Sequence, residues 1–478
     1  MEISQTAASR RFMNVFILAM MNLAIMASIR NLPIVAEYGL GSIFLYFIVG
    51  IAFLIPSALV SAELATGWTR TGGIYVWVRE AFGPRWGFFA IWMQWVHNVS
   101  WYPAILSFVG ATLGFLFNPA LAQNKSYLLA VILILFWGMT FVNFFGLKTS
   151  SWFSTACVIL GTLLPGFFII IIGVHWYLSG RPIEIPIRFD ALLPKFNSVN
   201  DFVFLAGMFL AFGGLEVNAV HAREVKDPQK NYPKAILIAA LLAFILLALG
   251  SLSIAIVIPQ EKISLVSGVM DAVFLILKSY HMEWLLTLFA ILIILGAVGE
   301  TNAWIIGPVR GLHATSKHGD LPPILQKANK RGIPYNLLIF QGIIVTFASL
   351  VFIFMPNASS AFWILSVLTA QLYIIMYIFM FLAALRLRYS HPEVVRSYRI
   401  PHKHKGMWFV AILGTFSSLG VFILGFFPPT QLEVGSLLFY ESFLIIGLLL
   451  MVLIPLLIYQ FKSSHWVPHE QLESKNNR

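Results

Sequence analysis

Three ionisable side chains stand inside long apolar stretches of this sequence: Arg30, Glu216 and Glu300. A charge in hydrocarbon is costly, so such a group is paired, hydrated or lines a polar path, and each marks a candidate site. Arg30 belongs to Met26-Ala27-Ser28-Ile29-Arg30-Asn31-Leu32-Pro33, where small, charged, amide and helix-breaking residues meet in mid-segment. A helix interrupted there exposes backbone groups to a cavity. Glu216 ends a second break, Gly213-Gly214-Leu215-Glu216. Glu300 precedes Trp304 by four residues, so both project from one helical face, where an indole can wall a cavity. Tyr373 adds an aromatic hydroxyl at similar depth in another apolar stretch. The candidate binding residues are therefore Ser28, Ile29, Arg30, Asn31, Gly213, Gly214, Glu216, Glu300, Trp304 and Tyr373.

Each has a structural alternative. Gly213-Gly214 can serve close helix packing, and Pro33 can be an ordinary kink. Arg30 and Glu216 can neutralise one another as an ion pair that meets no solute. Glu300 can hold helices together as a hydrogen-bonded acid, Trp304 can sit at a membrane interface, and Tyr373 can simply pack.

The elements that carry these residues are membrane helices. Of 478 residues, 59% are hydrophobic and only 11% charged, which excludes a soluble fold. Nearly uncharged stretches of the length needed to cross a bilayer recur over residues 13–36, 42–66, 86–117, 126–146, 152–178, 200–221, 234–258, 284–312, 335–355, 360–388, 406–427 and 437–461. With the first end cytoplasmic, 24 of the 31 Lys and Arg fall in inside segments or at the inside ends of spans and 6 in outside ones, with Arg30 left at mid-span. One span more or fewer would invert every later loop and scramble that asymmetry, so twelve spans with both ends inside are expected. The run after Arg10 and Arg11 continues to about Ala36, too long for a signal peptide.

The net charge of +11 is spread over short loops rather than gathered on one face, so nucleic acid is not an expected partner. The basic inside loops are expected to lie against anionic lipid headgroups. The single cysteine, Cys157, rules out an intrachain disulfide and a cysteine metal site. No cofactor, metal ligand set or catalytic residue is indicated: the chain lacks a P-loop, a His-Glu-x-x-His and a Gly-x-Ser-x-Gly. One domain, 1–478, is expected.

The two breaks fall in spans 1 and 6, five spans apart. Broken helices in corresponding positions of two halves point to a transport site, because their freed backbone groups can hold the charged ends of a small solute near the midplane. This gives a first repeat over 12–178, an inverted second repeat over 200–388, two added helices over 406–461 and a short inside tail, 462–478. Glu63 is read as part of a cytoplasmic loop and is followed by Gly72-Gly73, a pair that allows a sharp turn and lets this loop dip into the protein in a gating position.

At these residues the chain resembles the amino acid, polyamine and organocation superfamily, and within it is most similar to the glutamate/GABA antiporter family. The likeness spans nearly the whole chain. It rests on Glu63-Leu64-Ala65-Thr66, Gly72-Gly73-Ile74-Tyr75-Val76-Trp77 and Gly214-Leu215-Glu216; on Glu224-Val225-Lys226-Asp227-Pro228 with Asn231-Tyr232-Pro233; on Trp304-Ile305-Ile306-Gly307-Pro308-Val309-Arg310-Gly311; and on His391-Pro392-Glu393 with Tyr398-Arg399-Ile400-Pro401.

The resemblance implies an all-α, five-plus-five inverted-repeat (LeuT-like) fold in a bacterial inner membrane. It also implies amino acid exchange or proton-coupled transport, with solute contacts from spans 1, 6, 8 and 10, where Glu216, Glu300, Trp304 and Tyr373 fall. The first break departs from the superfamily's glycine-rich pattern, having no glycine and an arginine, which leaves the solute open. The tail is also too short to plug the inside mouth, as longer tails in similar antiporters do.

The expected activity is secondary active amino acid transport, as an antiporter of the glutamate/GABA type working by alternating access, with protons as candidate co-substrate. The rivals are a proton-coupled symporter and a nutrient-sensing receptor with a transporter fold. Arg30 either faces the solute, favouring an acidic side chain, or pairs with Glu216.

Overall fold

The computed structural model describes residues 14–68, 72–145, 156–157, 159–194, 198–217 and 225–467. Among these the architecture is all-helical. In hydrocarbon each backbone N–H and C=O must find a partner inside the protein, and a helix supplies one within its own apolar run of about twenty residues.

Among the described residues ten helices are long and apolar enough to cross a membrane: Gly41–Gly67, Pro84–Phe117, Lys125–Phe144, Ile159–Leu178, Lys230–Ala255, Leu285–His318, Tyr335–Phe354, Ala358–Ser390, Lys403–Leu424 and Leu437–Gln460. They correspond to expected spans 2–5 and 7–12, with most ends moved by a few residues. Span 8 is the largest extension, its helix running on through a short 3-10 turn to His318. Residues 152–155, expected to open span 5, lie outside the described residues, as do Asn218-Ala219-Val220 and Glu224.

Spans 1 and 6 are interrupted where the sequence breaks. Span 1 runs as Val15–Met26, passes through extended backbone at Ala27 and Ser28, and resumes as a 3-10 turn at Ile29–Asn31 and a short helix, Leu32–Ala36. Pro33 stands in the first turn of that short helix, where its missing N–H costs nothing and its fixed φ favours restarting the helix. Span 6 is helical over Leu205–Ala211 and leaves the helix at Phe212.

Prolines inside spans create a second kind of joint, since each leaves the carbonyl four residues earlier without its N–H partner. Pro56 frees the Ala52 carbonyl, which accepts from Ser417 Oγ at 2.8 Å beside the wide turn Gly50–Leu54. Pro308 frees the Trp304 carbonyl, which accepts from Tyr102 Oη at 2.7 Å. Pro455 frees the Met451 carbonyl, which accepts from Trp92 Nε1 at 3.1 Å. Each freed group thus ties its helix to a neighbour, joining spans 2 and 11, 8 and 3, and 12 and 3.

Spans 3 and 10 are the most enclosed and pack on one another along their length, with span 8 against span 3. Between spans 2 and 3 the chain turns at Gly72 (φ +138°) and Gly73 (φ +48°) and forms the amphipathic helix Ile74–Phe82, whose Ile74, Tyr75, Val76, Trp77 and Val78 are buried. That stretch does dip into the protein, as the glycine pair suggested. Glu63 lies not in a loop but near the end of the helix Ile55–Gly67, and it is buried.

Candidate functional site

The break in span 6 depends on one glycine. Gly214 has φ +115°, and a Cβ there would fall 2.2 Å from Ile25 Cγ2 on the first span, so neither backbone nor space admits a side chain. Its N–H, freed from helical bonding, donates to Tyr377 Oη at 2.7 Å. Two residues on, Glu216 is fully buried. Its Oε1 accepts from Tyr373 Oη at 2.5 Å and from Gln94 Nε2 at 3.2 Å, and its Oε2 accepts from Tyr377 Oη at 2.6 Å. Tyr373 and Tyr377, four residues apart, share one face of span 10, so a single helix supplies both hydroxyls.

The same tyrosine faces a cavity. The Tyr373 ring stacks on His97, with centroids 3.9 Å apart and planes 6° from parallel, and His97 meets Trp304 edge-on at 5.5 Å. A cavity of about 20 Å³ lies here, walled by Ile25 of span 1, His97, Asn98 and Trp101 of span 3, Leu210 and Gly213 of span 6, Trp304 of span 8 and Tyr373 of span 10. That volume suits a water molecule, and the cavity as it stands does not admit an amino acid. Trp304 Nε1 is buried and has no hydrogen-bond partner. An indole N–H at a cavity wall without an acceptor is a donor left for a ligand.

Arg30 and Glu300 sit beside this cavity. Ser28 Oγ, in the extended break of span 1, donates to Glu300 Oε2 at 3.1 Å, joining spans 1 and 8. Arg30 is 1% exposed, and its guanidinium carbon lies 5.4 Å from the Trp101 ring centroid and 5.7 Å from that of Phe362. The carboxylate it feels electrostatically is Glu300. The Arg30–Glu216 ion pair considered from the sequence is not formed: tyrosine hydroxyls and an amide surround Glu216 instead.

Of the ten residues singled out, Gly213, Trp304 and Tyr373 line the cavity. Gly214 and Glu216 hold its span 6 side, while Ser28, Arg30 and Glu300 form the neighbouring polar cluster. Ile29 and Asn31 are buried in the 3-10 turn away from the cavity wall. The sequence reading missed span 3, whose Gln94, His97, Asn98 and Trp101 follow the i, i+3, i+4, i+7 spacing of one helical face. Three polar side chains on one stripe of a membrane helix were the available signal. It also missed Tyr377, which the four-residue spacing from Tyr373 would have offered.

Among the described residues no group of three or more His, Cys, Asp or Glu is placed to hold a metal ion. The arrangement instead offers one buried cation, one buried and one half-buried carboxyl and a ring of aromatic faces, the means to enclose a small zwitterion.

The sequence matches the amino acid permease family over residues 12–451. A transporter of Legionella pneumophila, itself uncharacterised, is 45% identical over 447 residues, 94% of this chain and 96% of that one. A glutamate/gamma-aminobutyrate antiporter of Lactococcus lactis is 31% identical over 434 residues, 90% of this chain and 86% of that protein. A probable agmatine/putrescine antiporter of the same species is 27% identical over 371 residues, 77% of each chain.

Proposed function

This chain belongs to the amino acid permease family, and we propose that it is a secondary amino acid antiporter of the glutamate/GABA exchanger type, working by alternating access. Its family and relatives are multi-pass membrane transporters, not enzymes. The observation that carries the reading is Glu216: a buried carboxyl at the broken turn of span 6, held by spans 3 and 10 beside a cavity that also touches spans 1 and 8. A carboxyl gripped by groups on separate helices makes the closed state depend on all of them, so movement of one bundle against another must remake those bonds.

In this reading the interrupted segments 15–36 and 199–217 are themselves crossings, bringing the total to twelve. Residues 12–178 and 200–388 are inverted repeats of one domain, followed by the helices of 406–461 and the tail 462–478. The chain lies in a bacterial inner membrane, and the charge asymmetry of the loops favours both ends on the cytoplasmic side. The solute occupies a widened form of the cavity, its carboxylate and ammonium groups met by freed backbone at residues 26–28 and 212–214.

Counterflow in proteoliposomes tests this. Labelled glutamate should enter only vesicles preloaded with an exchangeable amino acid, and Glu216→Gln should abolish entry. Uptake into empty vesicles driven by a proton gradient would identify a symporter and overturn exchange.

A further inference from the structure

We propose that Arg30 sets the charge class of the substrate: its guanidinium receives the side-chain carboxylate of an acidic amino acid, and the site disfavours solutes with a cationic side chain. This rests on the transport reading above and deepens it.

Three guanidiniums are buried among the described residues, those of Arg30, Arg388 and Arg396. Arg388 and Arg396 both reach the Glu63 carboxylate and several backbone carbonyls. Arg30 differs, since its Nε and Nη1 are buried and have no hydrogen-bond acceptor. Leaving N–H groups of a charged side chain unbonded away from water is strongly unfavourable, and two aromatic faces supply no acceptor oxygen.

Glu300 does not remove the deficit. It balances the charge from a distance while its own Oε2 takes the Ser28 hydroxyl. Glu216 is engaged by two tyrosines and a glutamine. The protein therefore holds a cation with vacant donors behind Trp101, a ring that both lines the cavity and stacks against that cation. A carboxylate is the group that satisfies charge and donors together.

The same charge acts against cations. An ammonium or guanidinium brought to this end of the site faces a like charge in low dielectric, and the carboxylate near it, Glu300, is already balanced against Arg30. Of the substrate chemistries in the relatives' names, Arg30 thus favours the acidic one over the polyamine one.

The test uses full-length protein in two assays. In proteoliposomes, unlabelled glutamate, glutamine and agmatine compete against labelled glutamine in counterflow. In detergent, each ligand's stabilisation of the purified protein against heat is measured. Glutamate should outcompete glutamine by about 10- to 100-fold, the range of a charge-assisted hydrogen bond, and agmatine should compete least. Arg30→Gln should bring the glutamate to glutamine ratio near one, and Arg30→Lys, which keeps the charge but not the planar donor set, should fall between.

An unchanged ratio in Arg30→Gln overturns the proposal, as does agmatine stabilising the wild-type protein more than glutamate does. That second arm decides the matter even where Arg30→Gln fails to fold. Absence of all amino acid flux in wild-type vesicles would instead overturn the transport reading, while the thermal measurement still scores Arg30.

Discussion

Replacing Glu63 by glutamine should destabilise this protein more than any comparably conservative change on its surface. The Glu63 carboxylate, 1% exposed, accepts from Arg388 Nε at 2.6 Å, from Arg388 Nη2 and from the Ile400 N–H at 2.9 Å, and lies 3.6 Å from Arg396 Nε. Glutamine keeps one acceptor oxygen but leaves two buried guanidiniums without a counter-charge. Breaking a buried pair by removing one partner costs about 3–5 kcal/mol, or roughly 10²- to 10⁴-fold in the ratio of folded to unfolded protein. The retained oxygen places the expected loss toward the lower end.

Unfolding in mixed detergent and dodecyl sulfate micelles, followed by tryptophan fluorescence, measures it. A cycle through Arg388→Met and the double variant isolates the coupling. Asp190→Asn serves as control, because the Arg188–Asp190 pair is 72% and 64% exposed and should contribute nothing measurable. A Glu63–Arg388 coupling no larger than that of the exposed pair would refute the reasoning.

Further outcomes follow from other parts of the molecule. Glu37, in the loop after span 1, has its carboxyl pushed up to about 8, first by burial and then by Glu261. The folded protein thus holds this proton more tightly than the unfolded chain, so the group's stabilising effect is complete at low pH and is lost as pH rises from about 4.5 to about 8. Glu37→Gln should unfold at the same temperature as wild type near pH 4 and at a higher one near pH 9; parallel pH curves would exclude the effect. Gly214→Ala should abolish exchange, since its Cβ would meet Ile25 at 2.2 Å with φ at +115°; wild-type counterflow rates in that variant would show that the turn is not needed. Tyr102→Phe leaves the Trp304 carbonyl freed by Pro308 unbonded and should lower stability by about 1–3 kcal/mol, read in the same micelle titration.

The membrane architecture was legible because lipid imposes a rule each segment must obey alone: satisfy every backbone group and present apolar side chains. That rule acts on contiguous sequence, so hydropathy located the ten continuous helices to within a few residues for most ends. The breaks were legible for the same reason, as Ser28-Ile29-Arg30-Asn31 and Gly213-Gly214 violate the local pattern. Glu216, Glu300 and Arg30 stood out because charge in an apolar run is conspicuous wherever it points.

Partnership was not legible. Whether Glu216 met Arg30 or the hydroxyls of Tyr373 and Tyr377 depended on how spans 1, 3, 6 and 10 rotate about their axes, and apolar surfaces in lipid leave that rotation to packing. His97, Asn98 and Trp101 became a cavity wall, and Gln94 a partner of Glu216, only when span 3 was enclosed by its neighbours. The carbonyls freed by Pro56, Pro308 and Pro455 were foreseeable, but their donors Ser417, Tyr102 and Trp92 lie hundreds of residues away. The sequence by itself determined where each helix runs and where two of them break; the tertiary structure decided which side chains meet at the breaks, because distances of a few ångströms between distant segments are set by the packing of the whole bundle.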